Sequence, residues 1–125
     1  MHVNQIASSI VDACFKVHTT LGPGLLESVY ESALFYELQQ RGFQVVRQQA
    51  IPVVYEGVTL DEGFRADLIV EGLIIIELKS IESVAPVHKK QLLTYLRLSG
   101  KQLGFLVNFG VNLIKDGITR VVNGL

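Results

Sequence analysis

Arg65-Ala66-Asp67-Leu68-Ile69-Val70-Glu71-Gly72-Leu73-Ile74-Ile75-Ile76-Glu77-Leu78-Lys79-Ser80 contains two apolar runs joined by Glu71-Gly72, the pattern of a strand hairpin. Both runs would be ordinary core strands but for Asp67 in the first and Glu77 and Lys79 at the end of the second. Successive side chains of a strand point to opposite faces, so Glu77 and Lys79 share a face and Leu78 points away. An ionised group on an apolar sheet is costly unless it is paired or binds a metal. Three charges on two core strands therefore call for a functional reason.

The face taken by Asp67 depends on the loop. A two-residue turn would pair Val70 with Leu73 and Asp67 with Ile76, placing Asp67 opposite to Glu77 and Lys79. A three-residue type I turn with a bulge at a left-handed Gly72 would pair Ile69 with Leu73, placing Asp67 opposite Ile75 and diagonal to Glu77. Only an odd-length loop or an equivalent bulge gathers all three charges, and glycine enters the left-handed conformation without penalty. The odd loop is the expectation. Leu68, Val70, Ile74, Ile76 and Leu78 then line one face and Ile69, Leu73 and Ile75 the other, as in central strands covered by helices on both sides.

Outward from this hairpin, Ile6, Ile10, Cys14 and Val17 form a stripe at helical spacing over residues 4–18, ended by Gly22-Pro23-Gly24. A second helix is expected from about Leu25 to Arg41, with Leu26, Tyr30, Ala33, Leu34 and Leu38 on one face and Gly42 as its stop. Residues 43–55 read as a strand interrupted or placed at an edge by Pro52, with a turn at Glu56-Gly57. After Pro86, residues 87–99 return to helical spacing and Gly100 closes them. Leu103–Phe109 reads as strand, and a last hairpin over Val111–Val122 is expected to turn at Lys115-Asp116-Gly117. The order, helix, helix, strands, helix, strands, predicts an α/β fold with a central mixed sheet flanked by helices.

The 125 residues, 49% hydrophobic and 18% charged, suit one domain over residues 1–125 with a real core. No apolar run is long enough to span a bilayer, and Met1-His2-Val3-Asn4-Gln5 does not resemble a signal peptide, so the expected location is the cytoplasm with no membrane partner. The single cysteine, Cys14, sits in the first helix stripe and reads as core. A net charge of -1 argues against holding DNA by a global positive field. A local basic patch from Arg41, Arg47, Arg65, Lys89, Lys90, Arg97 and Lys101 stays open. High apolar content with no tryptophan and one methionine points to surface buried against another chain, such as a second copy. His2, His18 and His88 lack ligand spacing and read as surface or helix-end residues.

Asp67 and Glu77 offer the hard oxygens that Mg2+ prefers, an ion that keeps several waters and binds substrate phosphate directly. Such an ion lowers the pKa of a water and offsets charge developing on phosphoryl oxygens, and Lys79 can orient the attacking water or stabilise the same charge. A lysine suits that role as a point charge, which an arginine would not simply replace.

These residues resemble the PD-(D/E)xK nuclease superfamily, with Asp67 on one strand and Glu77-Leu78-Lys79 on the next. Gly24-Leu25-Leu26-Glu27-Ser28-Val29-Tyr30 is similar to the signature of the GxxExxY protein family, a small prokaryotic group in that superfamily, and Gln91-Leu92-Leu93-Thr94-Tyr95 resembles its QxxxY element. The resemblance covers nearly the whole chain and implies a restriction-endonuclease-like core. It further implies a metal-dependent nuclease acting on DNA or RNA, DNA first. Asp67 and Glu77 would hold Mg2+ or Mn2+, with Glu27 and the backbone carbonyl of Leu78 as further ligands. Lys79 would be catalytic, and Glu27, Gln91 and Tyr95 would complete the catalytic group. Ala66 departs from the pattern where the superfamily name has proline. Two rivals remain: a nucleic-acid or protein-binding module with the same site but no turnover, and an oligomer in which the three charges form a buried salt-bridge network with no cleft beside them.

Overall fold

In the chain, whose computed structural model describes residues 2–125, apolar alternation resolves into helix α1 (Val3–Leu21), helix α2 (Glu27–Gln40), strands β1 (Val45–Tyr55), β2 (Val58–Val70) and β3 (Ile74–Lys79), helix α3 (Pro86–Ser99), and strands β4 (Leu103–Asn108) and β5 (Ile118–Val122). The strands form one sheet in chain order. Only β3 and β4 are parallel, and α3 supplies the crossover that a parallel pair requires. This mixed sheet flanked by helices is a restriction-endonuclease-like α/β fold, as the sequence predicts.

The two faces of the central strands are covered from opposite sides. Leu68, Val70, Ile74, Ile76 and Leu78 pack with Ile6, Ile10 and Cys14 of α1 and Tyr30, Leu34 and Leu38 of α2. Ile69 and Ile75 pack with Leu92 and Leu96 of α3 and with Leu106. Gly104 permits the second contact, because a Cβ there would lie 3.1 Å from the side chain of Leu92. Ile76, Leu78 and Leu92 are wholly buried, each such side chain contributing about 2 kcal/mol of transfer free energy.

The β2–β3 loop has the expected odd length but a different register. Val70 pairs with Ile74 and Leu68 with Ile76, so Asp67 lies level with Glu77 rather than with Ile75. The loop is Glu71-Gly72-Leu73, with Glu71 at φ 53° and Gly72 at φ 66°. Glu71 tolerates the left-handed conformation because its amide donates to the Gln44 carbonyl at 2.8 Å and its Oε2 accepts from the Gln44 amide at 2.6 Å. Leu73, expected on the inner face, belongs to the loop instead and is 45% exposed.

Three further expectations are corrected. β2 begins at Val58, not near Gly63, making a long hairpin with β1; the β1–β2 register shifts between Pro52 and Val54 on this edge strand. The final hairpin is β4–β5, Leu103 pairing with Val122 and Val107 with Ile118; residues before Lys115 form a loop with a 3-10 turn over Ile114–Asp116 and no strand. The strand partner was already present in β4, which satisfies β5 along its length. His18 is buried at the end of α1, its Nε2–H donating to the Val111 carbonyl at 2.9 Å and so pinning that loop. Among the described residues no helix is long and apolar enough to cross a membrane.

Cys14 is fully buried, and burial pushes its thiol up to about 12 against a smaller opposite pull from the Arg41 charge. The native chain at about pH 8 should therefore leave a thiol-reactive disulfide reagent unconsumed, with one equivalent reacting after addition of urea. Rapid labelling without denaturant would show α1 undocked from the sheet.

Candidate active site

Helices on opposite faces of the sheet contribute to one cleft. It has a volume of about 240 Å³ and is lined by Glu27, Arg65, Asp67, Glu77, Lys79, His88, Gln91 and Tyr95 with Leu92 and Leu106. All six side chains singled out in the sequence, Glu27, Asp67, Glu77, Lys79, Gln91 and Tyr95, meet there. Asp67 comes from β2, Glu77 and Lys79 from the end of β3, and Gln91 and Tyr95 from one face of α3. Glu27 is the first residue of α2, where a carboxylate is favoured by the helix dipole.

Two tethers bring Glu27 around the end of the sheet. The Ser80 hydroxyl, one residue beyond β3, donates to the Leu25 carbonyl at 2.6 Å. The Tyr30 hydroxyl donates to the Gly22 carbonyl at 2.5 Å and accepts from the Leu25 amide at 3.1 Å, while its ring stacks on Phe109 at 4.5 Å between centroids. The glycine-rich segment before α2 is thereby tied to the core, which gives Tyr30 a structural role three residues after Glu27. On the other side of the cleft, Tyr95 stacks on Phe64 at 3.9 Å.

Asp67 is held at both oxygens. Oδ2 accepts from the Leu78 amide at 2.8 Å and Oδ1 from Gln48 Nε2 at 3.2 Å. The amide and carbonyl of one strand residue project to the same side, so the Leu78 carbonyl also faces β2. Glu77 contrasts with this: its Oε1 is buried with no hydrogen-bond partner. Burial, followed by the facing Asp67 carboxylate, pushes the Glu77 carboxyl up to about 9. Burial and the Asp67 charge raise Glu27 too, against the lowering effect of Lys79, and burial with the Glu77 and Asp67 charges raises the Tyr95 hydroxyl.

The donor set fits a divalent cation. Asp67 and Glu77 bring hard oxygens to the cleft, Glu77 Oε1 is buried with no hydrogen-bond partner, and Leu78, whose carbonyl was expected as a further ligand, touches Asp67 through its amide but is not among the cleft-lining residues. No group of three or more His, Cys, Asp or Glu among the described residues could hold an ion alone. Mg2+ does not require one, since it commonly takes one or two carboxylates and retains waters. At about 30 Å³ per water the cleft admits a partly hydrated ion. The salt-bridge network considered as a rival is not formed: the ion pairs among the described residues join Lys16, Arg41 and Arg47 to Asp12, Glu31 and Glu37, and involve none of Asp67, Glu77 and Lys79.

Two lining residues went unselected as site residues. Arg65 alternates with Asp67 along β2, a two-residue offset that could have marked it. His88, expected at an exposed helix start, is half-buried; its Nδ1 accepts from the Ala85 amide at 3.1 Å while the ring lines the cleft. Its three-residue offset before Gln91 was the available signal.

Between the ordinary carboxyl value of 4.5 and about 9, folded Glu77 keeps a proton that the unfolded chain releases. Its contribution to stability is thus complete below the lower value and is lost as pH rises through the window. In metal-free buffer, Glu77→Gln should melt above the native chain at about pH 8, with the gap closing toward about pH 5. Thermal melts with a gap that does not change with pH would show that Glu77 is ionised in the fold.

A central mixed sheet with an acid pair level with one another on adjacent strands and a lysine on the second of them matches more than the local motif. The profile of the PD-(D/E)XK nuclease superfamily matches residues 4–121, nearly the entire chain. No curated protein and no solved structure matches it. That match takes in every helix and strand but for the first residue of α1 and the last of β5, and the chain belongs to the PD-(D/E)XK nuclease superfamily.

Proposed function

We propose that the chain is a metal-dependent nuclease that hydrolyses phosphodiester bonds of DNA or RNA, DNA first, as one nuclease domain of the GxxExxY type in a prokaryotic cytoplasm. The observation that carries this is the buried, unpartnered Glu77 oxygen level with Asp67 in a cleft that also holds Lys79. A polar atom left in that state serves folding poorly and cation binding well.

In this reading Asp67, Glu77 and the Leu78 carbonyl hold Mg2+ or Mn2+, with Glu27 as a further ligand. A bound divalent ion supplies a water of lowered pKa and neutralises charge on the phosphoryl oxygens. The remaining work belongs to the side chains. Lys79, two residues after Glu77 on the same face, orients the attacking water toward phosphorus and stabilises negative charge as it develops. Gln91 and Tyr95 line the α3 side of the cleft, where they can position the scissile group; Tyr95 keeps its proton and can donate a hydrogen bond. Arg65 can contact a flanking phosphate from β2.

With Mg2+ or Mn2+, purified protein should cleave at least one member of a panel of duplex, single-stranded and branched DNA and RNA. Glu77→Ala and Lys79→Ala should each reduce kcat by roughly 100-fold or more, and Lys79→Arg should not restore it. A chain that binds these nucleic acids but shows no cleavage, with all variants alike, would instead be a binding module that kept the fold without turnover.

A further inference from the structure

We propose, building on the nuclease reading, that Gln48 is a positioning residue that aims Asp67 and Arg65 into the cleft. Gln48 is a non-glycine residue inside a strand at φ 49°, in the left-handed region where such a residue persists only if its surroundings enforce it. It sits between the pairs Arg47–Leu68 and Gln49–Ala66, hence level with Asp67 on the neighbouring strand. The unusual backbone has two consequences. Its carbonyl accepts from Arg65 Nη1 at 2.9 Å, and its side-chain amide donates both to Asp67 Oδ1 at 3.2 Å and to Glu31 Oε1 at 2.5 Å.

The far end of this relay is fixed more firmly than the near end. Glu31 is only 8% exposed, and its Oε2 accepts from Arg47 Nη2 at 3.0 Å and Nε at 3.2 Å. Arg47 in turn donates to Ser32 Oγ at 3.0 Å and lies over the Phe35 ring at 5.1 Å. A buried carboxylate clamped by an arginine thus holds the Gln48 amide in one place. The amide orients one oxygen of Asp67 while the Leu78 amide orients the other. A residue serving only a strand irregularity would need the left-handed backbone and not this side chain. Outer residues that orient a metal-binding carboxylate typically matter by 10–100-fold in metal affinity or activity.

Gln48→Gly separates the two parts, because glycine accepts the left-handed backbone freely and retains the carbonyl toward Arg65 while losing the amide. Gln48 is exposed, so the variant should fold with a melting temperature close to that of the native chain. In metal-free protein, hydrogen exchange at the Leu78 amide should accelerate by about tenfold or more, with the Phe105 amide of β4 as an unchanged reference. With Mn2+, kcat should fall about tenfold and half-maximal activity should require more metal, while KM for the nucleic acid stays the same. Native exchange at Leu78 in the variant, or native kcat and Mn2+ requirement, would overturn the assignment. If the native chain cleaves nothing, the nuclease reading falls while the exchange measurement still decides: acceleration at Leu78 supports the positioning of Asp67, and no change refutes it.

Discussion

The pairing of Val70 with Ile74 is the constraint on which the candidate site depends. Because side chains alternate, one residue more or less in the Glu71-Gly72-Leu73 loop would move Asp67 through the sheet, away from Glu77 and Lys79. The loop is specified by chemistry at both of its left-handed residues. Gly72 has no Cβ to oppose the conformation, and Glu71 is locked by two hydrogen bonds to the Gln44 backbone. The same parity turns Leu68, Ile76 and Leu78 toward α1 and α2, so the register that assembles the charges also assembles the larger core. Site and fold cannot slip independently.

That coupling stabilises an arrangement that would be unfavourable alone. Burial and the Asp67 carboxylate level with it raise the cost of ionising Glu77, whose Oε1 holds no hydrogen bond. Leu68, Ile69, Val70, Ile74, Ile75, Ile76 and Leu78 around them are buried, and that burial offsets the cost. Local consistency fails at Glu77, in its side chain, and at Gln48, in its backbone. Such departures are expected where structure serves chemistry.

Much of this was legible in the sequence because it follows from periodicity and punctuation. Helical stripes, Gly22-Pro23-Gly24, Pro86 and Gly100 bounded the helices to within a few residues, and strand parity together with a shared face for Asp67, Glu77 and Lys79 pointed to an odd loop between β2 and β3. The exact register was not legible, since the two odd-length versions of that loop differ by one pairing step and the observed one is held by contacts distant in sequence, Glu71 with Gln44 and Lys101 Nζ with the Gly72 carbonyl. Gln44 lies 27 residues from Glu71, beyond any local pattern. The same limitation hid the buried His18, whose partner Val111 is 93 residues away, and the Gln48–Glu31 contact. The supposed hairpin at Val111–Val122 went wrong for a related reason: strand propensity identified β5 but could not say that β4 would be its partner. Ala66 illustrates a milder case. It is fully buried on the α3 side of the sheet, where a small apolar side chain fits, so the absence of proline there leaves the neighbouring acid in place.

In a chain of net charge -1, how each cation is partnered decides which of them the cleft can use. Its arginines are not equivalent. Arg41 is engaged by Asp12 and Glu37, and Arg47 by Glu31, so their fields are largely cancelled within a few ångströms. Arg65 reaches the cleft with only a backbone carbonyl as partner, and Lys79 enters it without an ion pair within 4.0 Å among the described residues. Acids elsewhere thus neutralise structural cations, while the cations beside Asp67 and Glu77 stay available. A divalent ion would add to them and reverse the sign set by the two carboxylates. Attraction of phosphate would then depend on metal occupancy at this one place, and no global basic surface is needed to produce it.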